Sequence, residues 1–212
     1  MKIHQKSFSV IVTGIGGQGV LFLSKLLGMA ASYSYPFVCR TESRGLSQRG
    51  GSVSCEVRFG CAALTPAVGM GTEDLVLSLD ALEAARSRKF LKQTGSLITN
   101  SNFVCPAYLD KESNTSSDIE DSIRRELALS TSLYQIDLDH VTKGLGAGGA
   151  LNVVLLGAAS WHIPVPLKNF RRAILVLSGA VPRRNHLLFE AGRIAFEFSC
   201  LNSTPLNQAI PA

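Results

Sequence analysis

Two short stretches hold most of the residues whose types and spacing suit chemistry. Gly14, Ile15, Gly16, Gly17, Gln18 and Gly19 form a GxGxxG pattern directly after a strand-like run and directly before a helical one, the context that gives this pattern its meaning. Glycine permits a tight turn and close backbone approach, and free amides at a helix start present partial positive charge to an anion or a carbonyl. A bound nucleotide, a contact at a subunit boundary and a purely structural turn all use that geometry. The second stretch, residues 41–52, carries Arg44, Gln48 and Arg49 among Gly45, Gly50 and Gly51. The arginines offer forks suited to carboxylate or phosphate, and Gln48 both donates and accepts. A solvated connector is the plain alternative, although it needs less glycine, arginine and amide than this.

Other candidates are weaker. A dinucleotide site calls for an acidic residue at the end of the second strand, to hold the ribose. Here that strand ends in Cys39, Arg40 and Thr41, with Glu42 only just beyond. His4, His140, His162 and His186 are far apart without a ligand pattern, and surface or helix-end positions are expected for them. Asp137 and Asp139 beside His140 read as a strand running into a turn, where acids satisfy backbone amides. Cys39 and Cys55 fall at apolar strand positions and read as small buried hydrophobes. No residue is singled out as catalytic or metal-ligating. A glycine-rich loop at residues 144–149 is either a third loop on the same rim or a helix entry.

The positioning elements follow from periodicity. Strands are expected at residues 8–13, 37–41, 53–59, 75–79, 96–99 and 134–138, the third being an edge or half-covered strand because Ser54, Glu56 and Arg58 alternate with apolar residues. Helices are expected at 20–32, 81–90, 150–160, 167–177 and 185–200, and one from Ser117 to about Ser130 opened by the capping box of Ser117 to Glu120. The opening reads as βαβ. The whole reads as an α/β, Rossmann-like, largely parallel sheet with helices on both faces and a helical C-terminal third. In such sheets ligands gather beyond the carboxyl ends of the strands, and both glycine-bearing stretches lie on that rim. One domain over residues 1–202 and a tail over 203–212, loose or reaching a neighbour, account for the chain.

Composition narrows the class. The 212 residues are 46% hydrophobic and 17% charged with a net charge of +5, which excludes a disordered chain or a charged helical rod. The basic pairs Arg171–Arg172 and Arg183–Arg184 are short and lack interleaved aromatics, so no nucleic-acid partner is expected. Five scattered cysteines show no CxxC spacing, so neither a zinc knuckle nor a cubane cluster is written in them. They fit a reduced, cytoplasmic setting. Residues 1–7 lack the layout of a secretory signal, and the apolar runs are too short or broken for a bilayer.

GIGGQG followed by TESRGLSQRGGSVSCEVRFG resembles the gamma-type subunit of 2-oxoacid:ferredoxin oxidoreductases, nearest to the indolepyruvate ferredoxin oxidoreductase beta subunit. The likeness continues through Asp80 to Glu83, Asn100, the NVVLLG of Asn152 to Gly157, and Asn185, Phe189 and Gly192. Arg49, Gly50 and Gly51 match the wider family, whereas the indolepyruvate branch carries a histidine where Arg44 stands. The resemblance implies one subunit of an enzyme that decarboxylates an aryl 2-oxoacid on thiamine diphosphate, sends electrons through iron–sulfur clusters to ferredoxin, and transfers the acyl group to coenzyme A. This chain has no GDG-to-NN segment for a diphosphate and magnesium and no cysteine grouping for a cluster, so those cofactors are expected on an alpha subunit. The residues implied to face that partner, its cofactor and coenzyme A are Gly14, Gly16, Gly17, Gln18, Gly19, Arg44, Gln48, Arg49, Gly50 and Gly51. The rival is a free-standing NAD(P)- or nucleotide-binding reductase module.

Overall fold

The computed structural model describes residues 7–44, 51–62, 69–105 and 115–202. Six strands form one mixed sheet: β1 (Phe8–Ile15), β2 (Phe37–Arg44), β3 (Ser52–Gly60), β4 (Glu73–Ser78), β5 (Leu91–Asn100) and β6 (Ser132–Ile136), in the spatial order β2-β3-β1-β4-β5-β6. β1, β4, β5 and β6 pair in parallel, while β3 is antiparallel to both β1 and β2. The expected βαβ opening is therefore altered. β2 runs in the direction of β1 but lies one strand away from it, because β2 and β3 form a hairpin that folds back between them.

β3 is interior rather than an edge, yet half-covered as its alternation implies. Cys55, Val57 and Phe59 lie in the large core with Val10, Val12, Leu75, Leu77 and Ile98. This face is covered by α1 (Val20–Ser32), α5 (Leu151–Ala159), α6 (Leu167–Leu177) and α7 (Pro182–Asn202). In α1 the buried residues Val20, Leu23, Leu27, Ala30 and Ala31 recur at helical spacing. The opposite face carries a smaller core, in which Val76 and Leu97 meet Ala81 and Ala84 of α2 (Ala81–Ser87) and Ile123 and Leu127 of α3 (Thr115–Ala128). Cys55 is buried in the large core, whereas Cys39, opposite Arg58 in the register, is only half-buried, so the expectation of two buried thiols holds for one.

Two local readings change. Ser117 lies inside α3, which begins at Thr115, so the capping box is not the helix start. Residues 138–144 form a short helix, α4 (Leu138–Gly144), which the sequence reading took for a turn. Asp137 caps it by accepting from the His140 N–H at 2.9 Å, the amide-satisfying role expected of an acid there. His162 does stand at a helix end, its N–H donating to the Ala159 carbonyl of α5 at 2.9 Å, and its half-buried ring packs against Tyr134 and Phe196, with centroids 4.9 and 5.2 Å away. His140 is exposed, and His186 sits 3.9 Å from Glu190 on α7. His4 and the tail 203–212 lie outside the described residues.

α5 and α7 cross at two glycines. A Cβ on Gly157 would stand 2.0 Å from the Phe189 carbonyl oxygen, and one on Gly192 1.9 Å from that of Val154. Only hydrogen at both positions lets the backbones approach so closely. Among the described residues no helix is long and apolar enough to cross a membrane.

Candidate functional site

The GxGxxG turn begins in the last residues of β1 and ends at the first turn of α1, at the carboxyl rim of the sheet. Gly14 is buried, and Gly16 and Gly17 are exposed. Gly17 and Gly19 hold φ values of +104° and +89°, in the left-handed region where glycine has no steric cost. Gln18 does not reach outward: its Oε1 accepts from the Ile15 N–H at 2.7 Å, while its own N–H donates to the Ile15 carbonyl at 3.1 Å. The turn is thus closed by its own glutamine. Gly19 caps α1 without a side-chain acceptor, and its carbonyl accepts from Leu23 N–H at 3.0 Å and from Asn152 Nδ2 at 3.3 Å. Asn152 stands in the first turn of α5, just after the glycines at 144–149, so that loop delivers a helix start to the first turn.

The β2–β3 hairpin carries the second stretch. Arg44 ends β2 opposite Val53, and Ser52 opens β3 opposite Ile15. Gln48, Arg49 and Gly50 lie outside the described residues. Gly51 is described, and its carbonyl accepts from the Gly16 N–H at 2.9 Å. The two glycine-bearing stretches are therefore joined directly by a backbone hydrogen bond. Ser52 Oγ in turn lies 2.5 Å from Glu83 Oε2 on α2.

Acids to which the sequence analysis gave no site role stand at the carboxyl ends of the neighbouring strands. Asp80 caps α2, its Oδ1 accepting from Leu82 and Glu83 N–H at 2.9 and 3.1 Å and its Oδ2 from Val104 N–H at 2.7 Å. Burial pushes its carboxyl above the usual range, against the pull of those three bonds. Asp139 receives Asn100 Nδ2 at 3.0 Å and Asn102 Nδ2 at 2.9 Å, and these donors hold its pKa below the ordinary value. Away from the rim, at the opposite end of the sheet where Arg58 pairs with Ser9 of β1 and Glu73 opens β4, Arg58 bridges Glu56 and Glu73, and burial raises the Glu73 carboxyl. An acid after the fourth strand followed by an apolar helix is the signal that marks Asp80 as a cap. Ser52–Glu83 has no local signal, because its partners are 31 residues apart.

A dinucleotide would need more than this rim offers. β3 separates β1 from β2, which puts the end of β2 about 9.6 Å from β1 at two strand spacings. Glu42 is bound to Arg40 at 2.6 Å, and the Gly16 amide is spent on Gly51. No three His, Cys, Asp or Glu side chains gather into a metal-holding group among the described residues. These residues do not fit a magnesium–diphosphate site or an iron–sulfur cluster.

Known proteins resemble the chain in sequence and in fold. Residues 9–195 match the family described as pyruvate ferredoxin/flavodoxin oxidoreductase. The chain belongs to that family. It is 34% identical over 164 residues to indolepyruvate oxidoreductase subunit IorB of Pyrococcus horikoshii, covering 76% of this chain and 81% of that protein. Its fold is similar to the gamma subunit of a keto/oxoacid ferredoxin oxidoreductase from Geobacter sulfurreducens, with a TM-score of 0.65 at 20% identity over 92% of this chain and 98% of that one. It is also similar to 2-oxoglutarate:ferredoxin oxidoreductase from Magnetococcus marinus, solved with 2-oxoglutarate, coenzyme A and succinyl-CoA bound. There the TM-score is 0.65 at 15% identity, over 98% of this chain and 33% of that chain.

Proposed function

We propose that this chain is the gamma-type subunit of a thiamine diphosphate-dependent indolepyruvate, or related aryl 2-oxoacid, ferredoxin oxidoreductase of the cytoplasm, and that its rim completes the active site at a subunit interface. In this reading an alpha subunit holds thiamine diphosphate, magnesium and the iron–sulfur clusters, ferredoxin takes the electrons, and coenzyme A takes the acyl group. The cofactor supplies the carbanion chemistry of decarboxylation. This chain supplies surface: exposed Gly16 and Gly17, beside a hairpin whose sequence carries Arg44, Gln48, Arg49, Gly50 and Gly51.

The observation that carries the reading is the Gly16–Gly51 hydrogen bond, 2.9 Å long. It fuses two glycine-bearing stretches into one rim, whose amides serve each other before any nucleotide. The arginines that the hairpin sequence carries have forks that suit the carboxylate of an oxoacid or the phosphates of coenzyme A. Identity to the Pyrococcus subunit over most of both chains supports the indolepyruvate assignment.

The test is to purify the chain alone and together with a thiamine-binding subunit from the same source, then to follow dye reduction by indolepyruvate and coenzyme A. The pair is expected to reduce the dye and the lone chain to be inactive and indifferent to NADH. Tight NADH binding by the lone chain, with a pair that turns over no oxoacid, would overturn the reading.

A further inference from the structure

Glu83 is a buried acid to which the glycine motif gives no role. It is 3% exposed, and burying a carboxylate is costly unless its oxygens are bonded. Both are: Oε2 faces Ser52 Oγ at 2.5 Å and Oε1 accepts from Arg86 Nη1 at 2.6 Å. Its own N–H is held by Asp80 at 3.1 Å, so the first turn of α2 presents the carboxylate in a fixed place. Ser52 is the first residue of β3, and Gly51 just before it is held by Gly16. The β3 foot of the hairpin is therefore clamped from two sides, by the turn after β1 and by an acid on α2.

We infer that Glu83 is a positioning residue of the rim: through Ser52 it fixes the hairpin foot against the GxGxxG turn, so that the partner subunit meets a preformed surface. The inference rests on the subunit reading given above. Core packing does not require this acid, because Ala81 and Ala84 make the apolar contacts of α2 with Val76 and Leu97. Glu83 instead borders a cavity of about 310 Å³ shared with Thr41, Ser43 and Ser54. Truncating it enlarges that solvent-open cavity, where water can reach the exposed Ser52, and opens no void in the apolar core. Arg86, half-exposed, is free to turn to solvent. The fold should survive and the clamp should not.

Two measurements test this. On the isolated chain, hydrogen exchange of the Gly16 amide, which donates to Gly51, is expected to quicken about tenfold in Glu83→Ala and in Ser52→Ala, the worth of a hydrogen bond to a charged acceptor released in a local opening. The urea midpoint should stay near wild type, and Ser52→Thr, which keeps the hydroxyl, should keep the slow exchange. In the assembled enzyme each alanine variant is expected to weaken association with the thiamine-bearing subunit about tenfold, and the double variant to be no worse than either single, since both act through one bond. Wild-type exchange rates in both alanine variants, or additive losses in the double, would overturn the clamp. Failure of the wild-type chain to bind that subunit would sink the subunit reading instead, while the exchange rates still decide the clamp.

Discussion

Substituting Gly157 by alanine should press two helices apart. The new Cβ would meet the Phe189 carbonyl oxygen at 2.0 Å, about 1 Å inside the 3.0 Å that such contacts respect. The obstacle is backbone, so no side-chain rotation relieves it. α5 is buried against β4, β5, α1, α4 and α7, and interiors packed to crystal density yield little. Overpacking of this kind costs about 1–3 kcal/mol; with rigid backbone on both sides the upper end applies. The higher helix propensity of alanine returns about 1 kcal/mol. A net loss of about 2 kcal/mol follows, which lowers Tm by about 4–8 °C in a chain of this size. Trp161, the single tryptophan, lies just beyond α5 with the Arg193 guanidinium of α7 4.2 Å from its ring centre, so its fluorescence reports on this junction. Urea titration should show a lower midpoint at unchanged slope. Gly192→Ala, facing the Val154 oxygen at 1.9 Å, should behave alike, and the double variant should lose less than the sum, because one separation relieves both clashes. A wild-type midpoint in Gly157→Ala would refute the close crossing.

Other outcomes concern the rim and pH. Gly19→Ala forces a side chain into φ +89° and against Asn152 Nδ2 at 2.2 Å; a loss of about 1–2 kcal/mol in urea with weakened partner association is expected, and wild-type values in both would count against it. Gln18→Ala removes the acceptor of the Ile15 N–H and should speed hydrogen exchange of that amide, with a stability loss of about 1–2 kcal/mol; unchanged protection would show that the glutamine does not close the turn. Burial holds the His162 pKa below its ordinary value. Its contribution is therefore complete above about pH 6.5 and is lost as pH falls through the folded-state value. The variant His162→Phe should lose stability less steeply than wild type below pH 6.5, and parallel pH profiles would refute that origin.

Much of the fold was legible locally. α1 and α6 begin and end where periodicity and the breakers Pro36 and Pro166 place them, because burial at helical spacing and loss of a backbone donor act within a few residues. Alternation in β3 correctly marked one polar face, since the strand period is two. Its place beside β1 was not legible: order in a sheet depends on which edges meet, and nothing in residues 52–60 encodes that. The turn at 138–144 hid a helix because seven residues give too short a pattern to separate from a capped loop. His162 looked solitary because its neighbours Tyr134 and Phe196 come from distant segments.

The sequence alone determined that a glycine turn follows β1 and that an arginine- and glycine-bearing stretch follows β2, since both are set by residue types over half a dozen positions. Family resemblance was legible for the same reason. Tertiary structure decided that the two stretches meet through Gly16 and Gly51, that Asn152 docks on Gly19, and that Glu83 holds Ser52. These bonds join residues between 31 and 133 positions apart. Hydrogen bonds reach only about 3 Å, so such pairs exist only once the sheet and its helices have packed.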